Sequence, residues 1–430
     1  VATYRGRARW HASRTWIGLI LAVTLLAPTA CSGGDKPASG KTEISFSYLW
    51  TGKEGGAVEK IISDFNASQD KIVVKGVSNP DAQAQLAAMS STSGAFDISD
   101  NFGMNVGSWA SKGVLEPLDD YIKDDSYDTA DFVPAVMSQM KYDGKTYSLP
   151  IAVHSFQLLY NKKLLAAAGI TAPPKTTSEW ARAIAATSKV DKSRITQLGF
   201  ANPDLTTLGF TFGGGWFDPE GKPKPDQPGN VAAASFYVNN VPAKYGAKEV
   251  QKFTSSFGEY ASPQNPFFQG KVAMVTDGEW MSAFIKEFAP SLQWGVAPIP
   301  HPDGQPALAG TTQLTASTVF IPRNSKHKQA AWEFMKYLLD KKAMLDFTYT
   351  LANLPSRTSL LDDPRYGDLP NFKRWLESLK SENARLLAAV PATPQYTADL
   401  ATTSDAILRM TETPEKAFAE LAKKAGNYGD

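Results

Sequence analysis

One cysteine, four histidines and 43 acidic side chains are the groups with which this 430-residue chain could do covalent, metal or acid–base chemistry. The histidines (His11, His154, His301 and His327) are scattered. None lies in a His-Glu-x-x-His helix, the spacing that puts two zinc ligands on one helical face. No Gly-x-Ser-x-Gly elbow is present to present a nucleophilic serine. The acidic residues could always furnish a carboxylate pair of the kind a glycoside hydrolase uses. An exported carbohydrate-active enzyme therefore stays open as one reading, and a structural surface protein as another. No cofactor or metal is expected.

The cysteine, Cys31, sits in "LLAPTACSGGD" (25–35), and its neighbours suggest why. Upstream lie Arg5, Arg7, Arg9 and Arg14 with no acidic residue, then an apolar run from Trp16 to Ala27. That run is shorter than the roughly 20 residues that span a bilayer. A basic stretch, a short apolar stretch and small residues describe an export signal over 1–30. Thr29-Ala30-Cys31 resembles a bacterial lipobox, with Pro28 where Leu is usual. The resemblance implies lipidation of Cys31, and the Gly-, Ser-, Pro- and Lys-rich segment 31–41 reads as a flexible tether. The expectation is an extracytoplasmic protein anchored to the cell membrane.

Without 1–30 the chain carries 40 basic against 43 acidic residues. Near-neutrality with no basic run offers no footprint for nucleic acid. A lone cysteine allows no internal disulfide, so the core must stabilise itself. About 400 residues is enough for that and for two domains.

To position any site the chain must first form its elements. "EISFSYLW" (43–50) alternates apolar and smaller residues as a strand does, and Val58, Ile61, Ile62 and Phe65 follow at helical spacing. Strands are expected again at 71–77, 96–99, 270–276, 294–300 and 317–323, and a helix at 328–344. Asp143-Gly144 is a hairpin pair. Asn161 reads as a helix N-cap, Gly169 as a stop and Thr176 to Glu179 as a capping box. Strand–helix–strand alternation predicts an α/β fold with parallel strands. His154, Ser155 and Gln157 interrupt an otherwise apolar extended run and require partners.

"DGKTYSLPIAVHSFQLLYNKKLL" followed by "PPKTTSEW" resembles the central signature of the extracellular solute-binding proteins of carbohydrate ABC transporters, the group that includes maltodextrin-binding proteins. "FDIS" with "GSWASKGVLEPLDDYI", "FFQGKVAMVTDGEW", "WGVAPIPHPDG", "FIPRNSKHKQAAWEFMKYL" and "LPSRTSL" match in the same order, so the similarity runs from about 43 to 430. The resemblance implies a periplasmic-binding-protein-like fold of two lobes, each a mainly parallel sheet flanked by helices. It implies lobe one at 42–153 plus 317–352 and lobe two at 157–309 plus 358–430. Hinge crossings would lie near 152–156, 309–317 and 351–357. The implied function is capture of a sugar or oligosaccharide in the interlobe cleft by a monomer that delivers it to membrane permease subunits. A phosphorylated polyol such as a glycerophosphodiester is the alternative cargo.

A pyranose offers an apolar face and a rim of hydroxyls, so its site needs a flat aromatic and polar partners. Trp280 holds the position of the family's stacking aromatic. Trp50 ends a strand, where parallel sheets place ligands. Trp216 follows three glycines that would let backbone approach a ligand. Trp109 joins them as an aromatic candidate, while Trp180, Trp332 and Trp375 read as packing. The polar candidates are Glu54, Asn101, His154, Asp277, Gly310, Thr311 and Arg357. An ungapped match gives Asn101, Met104 and Asn105 where maltodextrin-binding members carry an aromatic and a charged pair, which points to a different saccharide.

Overall fold

The computed structural model describes residues 40–428 apart from 80, 93 and 95. The export signal, Cys31 and nearly all of the tether lie outside the described residues.

The strands are β1 (Thr42–Tyr48), β2 (Ile72–Ser78), β3 (Ile98–Phe102), β4 (Ser148–Ser155), β5 (Gln157–Asn161), β6 (Lys189–Asp191) and β7 (Arg194–Phe200). They continue with β8 (Val272–Asp277), β9 (Trp294–Ala297), β10 (Thr312–Phe320), β11 (Leu354–Pro355) and β12 (Ala384–Arg385). The helices that matter here are α1 (Gly52–Ser68), α2 (Ala82–Ser90), α3 (Thr177–Thr187) and α4 (Met281–Phe288). To these are added α5 (Lys328–Leu338), α6 (Lys341–Leu351), α7 (Thr393–Leu408) and α8 (Pro414–Ala425).

Local chemistry explains many of these boundaries. Ile44, Phe46 and Tyr48 turn one face of β1 inward, and Val58, Ile61, Ile62 and Phe65 bury the matching stripe of α1. Asn161 caps the helix after β5 by accepting from the Leu164 amide, and Thr176 caps α3 by accepting from the Glu179 amide. The Asp143-Gly144 pair closes a short antiparallel hairpin. The helix expected at 328–344 is instead two, because the Asp340 side chain accepts from the Lys342 amide and starts α6 afresh.

Two sheets form two lobes. The first runs β11-β4-β10-β3-β1-β2, with β12 beside β10, and the second runs β9-β5-β8-β7-β6. The expectation of mainly parallel sheets is corrected, for both are mixed. β1 is parallel to β2 and β3, and β7 to β8, but β10 is antiparallel to β3 and β4, and β5 to β8 and β9. The reason is topological. β4 leaves lobe one and β10 returns to it alongside, so the two strands must run in opposite directions.

β4 passes into β5 with Phe156 alone between them, which makes the first crossing one residue long. The second crossing ends at Thr312, where β10 begins. The third crossing is expected at 351–357. Leu354 and Pro355 pair with Val153 and Ala152 on the free edge of β4. Further on, Asn371 Nδ2 donates to the Trp294 carbonyl on β9, and Trp375 packs beside the Trp294 indole. Ala384 and Arg385 pair with β10, and Leu387 is in the second lobe's core.

One core joins Phe46, Ile98, Leu149, Trp332 and Phe334, and continues past Trp375 to Trp294 and Ile285. The other is built on Trp180, Phe200, Trp216, Tyr396 and Phe418. Trp180, Trp332 and Trp375 are fully buried, as expected. Each such side chain contributes on the order of 2–3 kcal/mol.

Candidate functional site

At the end of β8 the turn Asp277-Gly278-Glu279 delivers Trp280, a half-buried indole. The ring lies directly over Gly278, where an added Cβ would meet indole Cζ3 at 2.1 Å. Only glycine permits that approach. His154 and Phe156, flanking the first crossing, meet the indole edge-on with centroids 5.6 Å away and interplanar angles of 72° and 85°. The indole N–H donates to the Tyr260 hydroxyl at 2.7 Å, and that hydroxyl donates to Asp277 Oδ1 at 2.7 Å. Asp277 Oδ1 also accepts from the Gly278 amide at 2.9 Å, and burial pushes its carboxyl up to about 6. Trp280 is thus a flat surface held from below, from the side and by its polar atom.

Glu279, fully buried, points the other way. Its Oε1 lies 2.6 Å from His154 Nδ1, and its Oε2 accepts from the Ser155 amide at 3.1 Å. His154 Nε2 is 2.9 Å from Ser317 Oγ on β10.

Glu54 stands in the first turn of α1, half-buried, with no hydrogen bond or ion pair among the described residues. Burial raises its carboxyl, and the His154 imidazole acts in the opposite direction. Asp100 Oδ1 accepts from the Leu49 amide at 2.8 Å and anchors the chain that leads from β1 into α1.

Three carboxamides form a relay beside it. Gln85 Nε2 donates to the Asp100 carbonyl (3.2 Å) and to Ser99 Oγ (3.1 Å), so its Oε1 is free to accept from Asn101 Nδ2 at 2.6 Å. Asn101 Oδ1 accepts from the Phe102 amide and from Asn105 Nδ2, at 2.7 and 2.6 Å. The backbone partners at the buried end fix the sense of every amide. Asn105 must therefore present its Oδ1 outward, an acceptor without a partner among the described residues. Met104 beside it packs against the core of lobe two, so this loop lies at the interlobe boundary.

Several sequence candidates occupy other places. Trp216 is 1% exposed in the lobe-two core, its Nε1 donating to the Thr206 carbonyl at 2.9 Å and its ring against Phe418. The glycines before it serve packing, since a Cβ on Gly214 would fall 2.2 Å from Asn230 Oδ1. Trp109 is buried edge-on against Phe320. Arg357 is buried in lobe one, where Nε donates to the Leu339 carbonyl and Nη2 to the Tyr127 hydroxyl, with the guanidinium 4.5 Å above the Phe132 ring. Nη1 lies 3.5 Å from Asp131 Oδ2, so the guanidinium is engaged within lobe one. Asn101 is buried, its Oδ1 accepting from Asn105. Trp50 packs edge-on against Phe347. Gly310 and Thr311 lie just before β10, with the Gly310 carbonyl accepting from Ser381 and Thr311 Oγ1 donating to the Leu308 carbonyl. The structure brings together Trp280, Asp277 and His154.

Sequence reading missed Tyr260, Phe156, Glu279 and Ser317. Glu279 carried a signal, since a carboxylate inside the turn just before the aromatic needs a partner. Nothing local pointed to Tyr260.

Lobes that share out-and-back strands and hold an aromatic surface beside the crossing define the class of two-lobed binding proteins. Within that class, the chain belongs to the family of bacterial extracellular solute-binding proteins, whose sequence profile matches residues 50–345. It is similar to a binding protein of Brucella abortus, 29% identical over 300 residues, 63% of this chain and 68% of that one. The galactooligosaccharide-binding protein of Bacillus subtilis is 24% identical over 437 residues, 96% and 97% of the two chains. The solved structure of CpMnBP1 with mannotriose bound superposes with a TM-score of 0.82 at 27% identity, covering 90% of this chain and all of that one.

Proposed function

We propose that the protein captures a short neutral oligosaccharide between its lobes, stacking one sugar ring on Trp280, and that manno-oligosaccharides are the cargo. It is the sugar-binding component of an ABC import system, a binding protein and not an enzyme. The observation that carries the site assignment is the restrained indole of Trp280 at the first crossing. Glu54 and Asn105 Oδ1, hydrogen-bond acceptors on lobe one without a partner among the described residues, are read as the opposite wall of the site. They suit the hydroxyl rim of a sugar and would repel a phosphate, which disfavours a phosphorylated polyol. The choice of mannose rests on CpMnBP1, which holds mannotriose in one structure and mannobiose in another.

Binding would bias the lobes toward closure through contacts made to both. Closure is then the state that permease subunits read. Lipidation of Cys31 would keep the protein beside them on the outer face of the membrane, because two or more acyl chains anchor stably.

The test is a thermal-shift and calorimetric panel of mannobiose, mannotriose, maltotriose, galacto-oligosaccharides and a glycerophosphodiester. A ligand at 100 times its dissociation constant adds about 2.7 kcal/mol of stability. The expected result is stabilisation by the manno-oligosaccharides without turnover. Stabilisation by the phosphodiester alone would overturn the reading.

A further inference from the structure

Ser317, His154 and Glu279 follow one another in the hydrogen-bond order of a nucleophilic triad, hydroxyl to imidazole to carboxylate. Here the serine lies inside β10, paired across the sheet with Ala152, and the carboxylate is also engaged by the Ser155 amide. A serine in the middle of a sheet strand, almost wholly buried, is poorly placed to attack an incoming carbonyl. The arrangement calls for a different purpose.

Its three members come from three parts of the hinge. His154 and Ser155 end β4, the outgoing strand, and Ser317 belongs to β10, the returning one. Glu279 follows β8 in lobe two and directly precedes Trp280. The chain from lobe to lobe pivots at Phe156, and the Glu279 carboxylate reaches back across that pivot to hold His154 and Ser155. We propose that Glu279 is a positioning residue that ties Trp280 to both hinge strands, so that the separation between the aromatic surface and the lobe-one wall is set at His154. The proposal rests on Trp280 being the sugar-stacking surface.

The proton arrangement follows from the partners. Glu279 accepts, so His154 Nδ1 carries a proton, and the same carboxylate holds the hinge amide of Ser155. A tilt of lobe two about Phe156 must stretch these bonds, and any displacement of Trp280 by a ligand is felt by the neighbouring carboxylate. Without the tie the pivot loses its side-chain restraint. Glutamine at 279 would retain it in reversed sense, with Oε1 accepting from Ser155 and Nε2 donating to an Nδ1 whose proton has moved to Nε2.

The test measures interlobe distance and sugar affinity together. In a Cys31→Ser chain, spin labels on Lys75→Cys and Lys248→Cys, exposed positions in lobes one and two, report the distance distribution by pulsed electron resonance. Glu279→Ala should broaden the distribution of the free protein and weaken mannotriose binding about tenfold or more, while Glu279→Gln stays within about threefold of the parent. Ser317→Ala cuts the outermost link without touching Trp280 or lobe two, and should broaden the distribution even if Glu279→Ala does not fold. Unchanged distributions in Ser317→Ala and in any folded Glu279→Ala would overturn the tie. Failure of the parent to bind any sugar would instead overturn the cargo reading, and the free-protein distributions would still judge the tie.

Discussion

The indole nitrogen of Trp280 and the hydroxyl of Tyr260 are 2.7 Å apart, and the bond between them spends the one polar atom of Trp280 inside the protein. What remains for a ligand is the apolar face. Trp280→Ala should weaken sugar binding by about 2 kcal/mol, roughly 30-fold, with little loss of thermal stability because the side chain is only half buried. Calorimetry beside a melting curve checks this. Equal affinity would remove Trp280 from the site.

Tyr260 is 41% exposed, so its hydroxyl acts by restraint and not by packing. Tyr260→Phe keeps the ring and removes the bond to the indole. Affinity should fall by about threefold to tenfold, the worth of one hydrogen bond. Trp280 fluorescence should shift relative to the parent, measured as the difference from Trp280→Ala.

The carboxamide relay predicts two effects of different kind. Asn105→Ala removes the free acceptor and should cost sugar affinity about threefold to tenfold at unchanged stability. Gln85→Leu strands the buried Asn101 amide, so it should lower stability by about 1–3 kcal/mol. Urea unfolding and sugar titration on both variants separate the two.

Asp100 gives a pH dependence of definite sign. Burial raises its carboxyl to about 8, so the folded chain holds a proton that the unfolded chain has released above the ordinary carboxylate range. Stability contributed at this site therefore falls as pH rises from about 4 to 8, with a limiting slope of about 1.4 kcal/mol per pH unit. Asp100→Asn removes that slope, and comparing unfolding of parent and variant at pH 5 and 8 tests it.

Arg357 tests the reassignment of a sequence candidate. Arg357→Met should lower stability by about 3 kcal/mol through unmet partners at Leu339 and Tyr127, and leave the sugar affinity of the folded fraction unchanged. A specific loss of affinity would return Arg357 to the site.

The sequence was most readable where structure is local. The stripe of α1, the caps at Asn161 and Thr176 and the Asp143-Gly144 hairpin depend on residues a few positions apart. The family signature drew attention to the segment 152–156 and to Trp280. The pairing of His154 with Glu279 spans 125 residues and left no local mark. Aromatic residues misled for a physical reason. Trp109, Trp216 and Trp280 have the same chemistry, and only the third dimension tells which stays half-exposed and which fills a core. The addition of Leu354 and Pro355 to the edge of β4 is a long-range pairing that sequence alone does not reveal.

Phe156, the single residue between β4 and β5, carries a consequence for how this protein can change. Strand side chains alternate, so gaining or losing one residue there would turn every side chain of one strand to the opposite face. His154, Ser155 and Gln157 would then exchange places with core residues. Insertions and deletions should be confined to surface loops, and new specificities should arise by substitution around a stretch whose length is held constant.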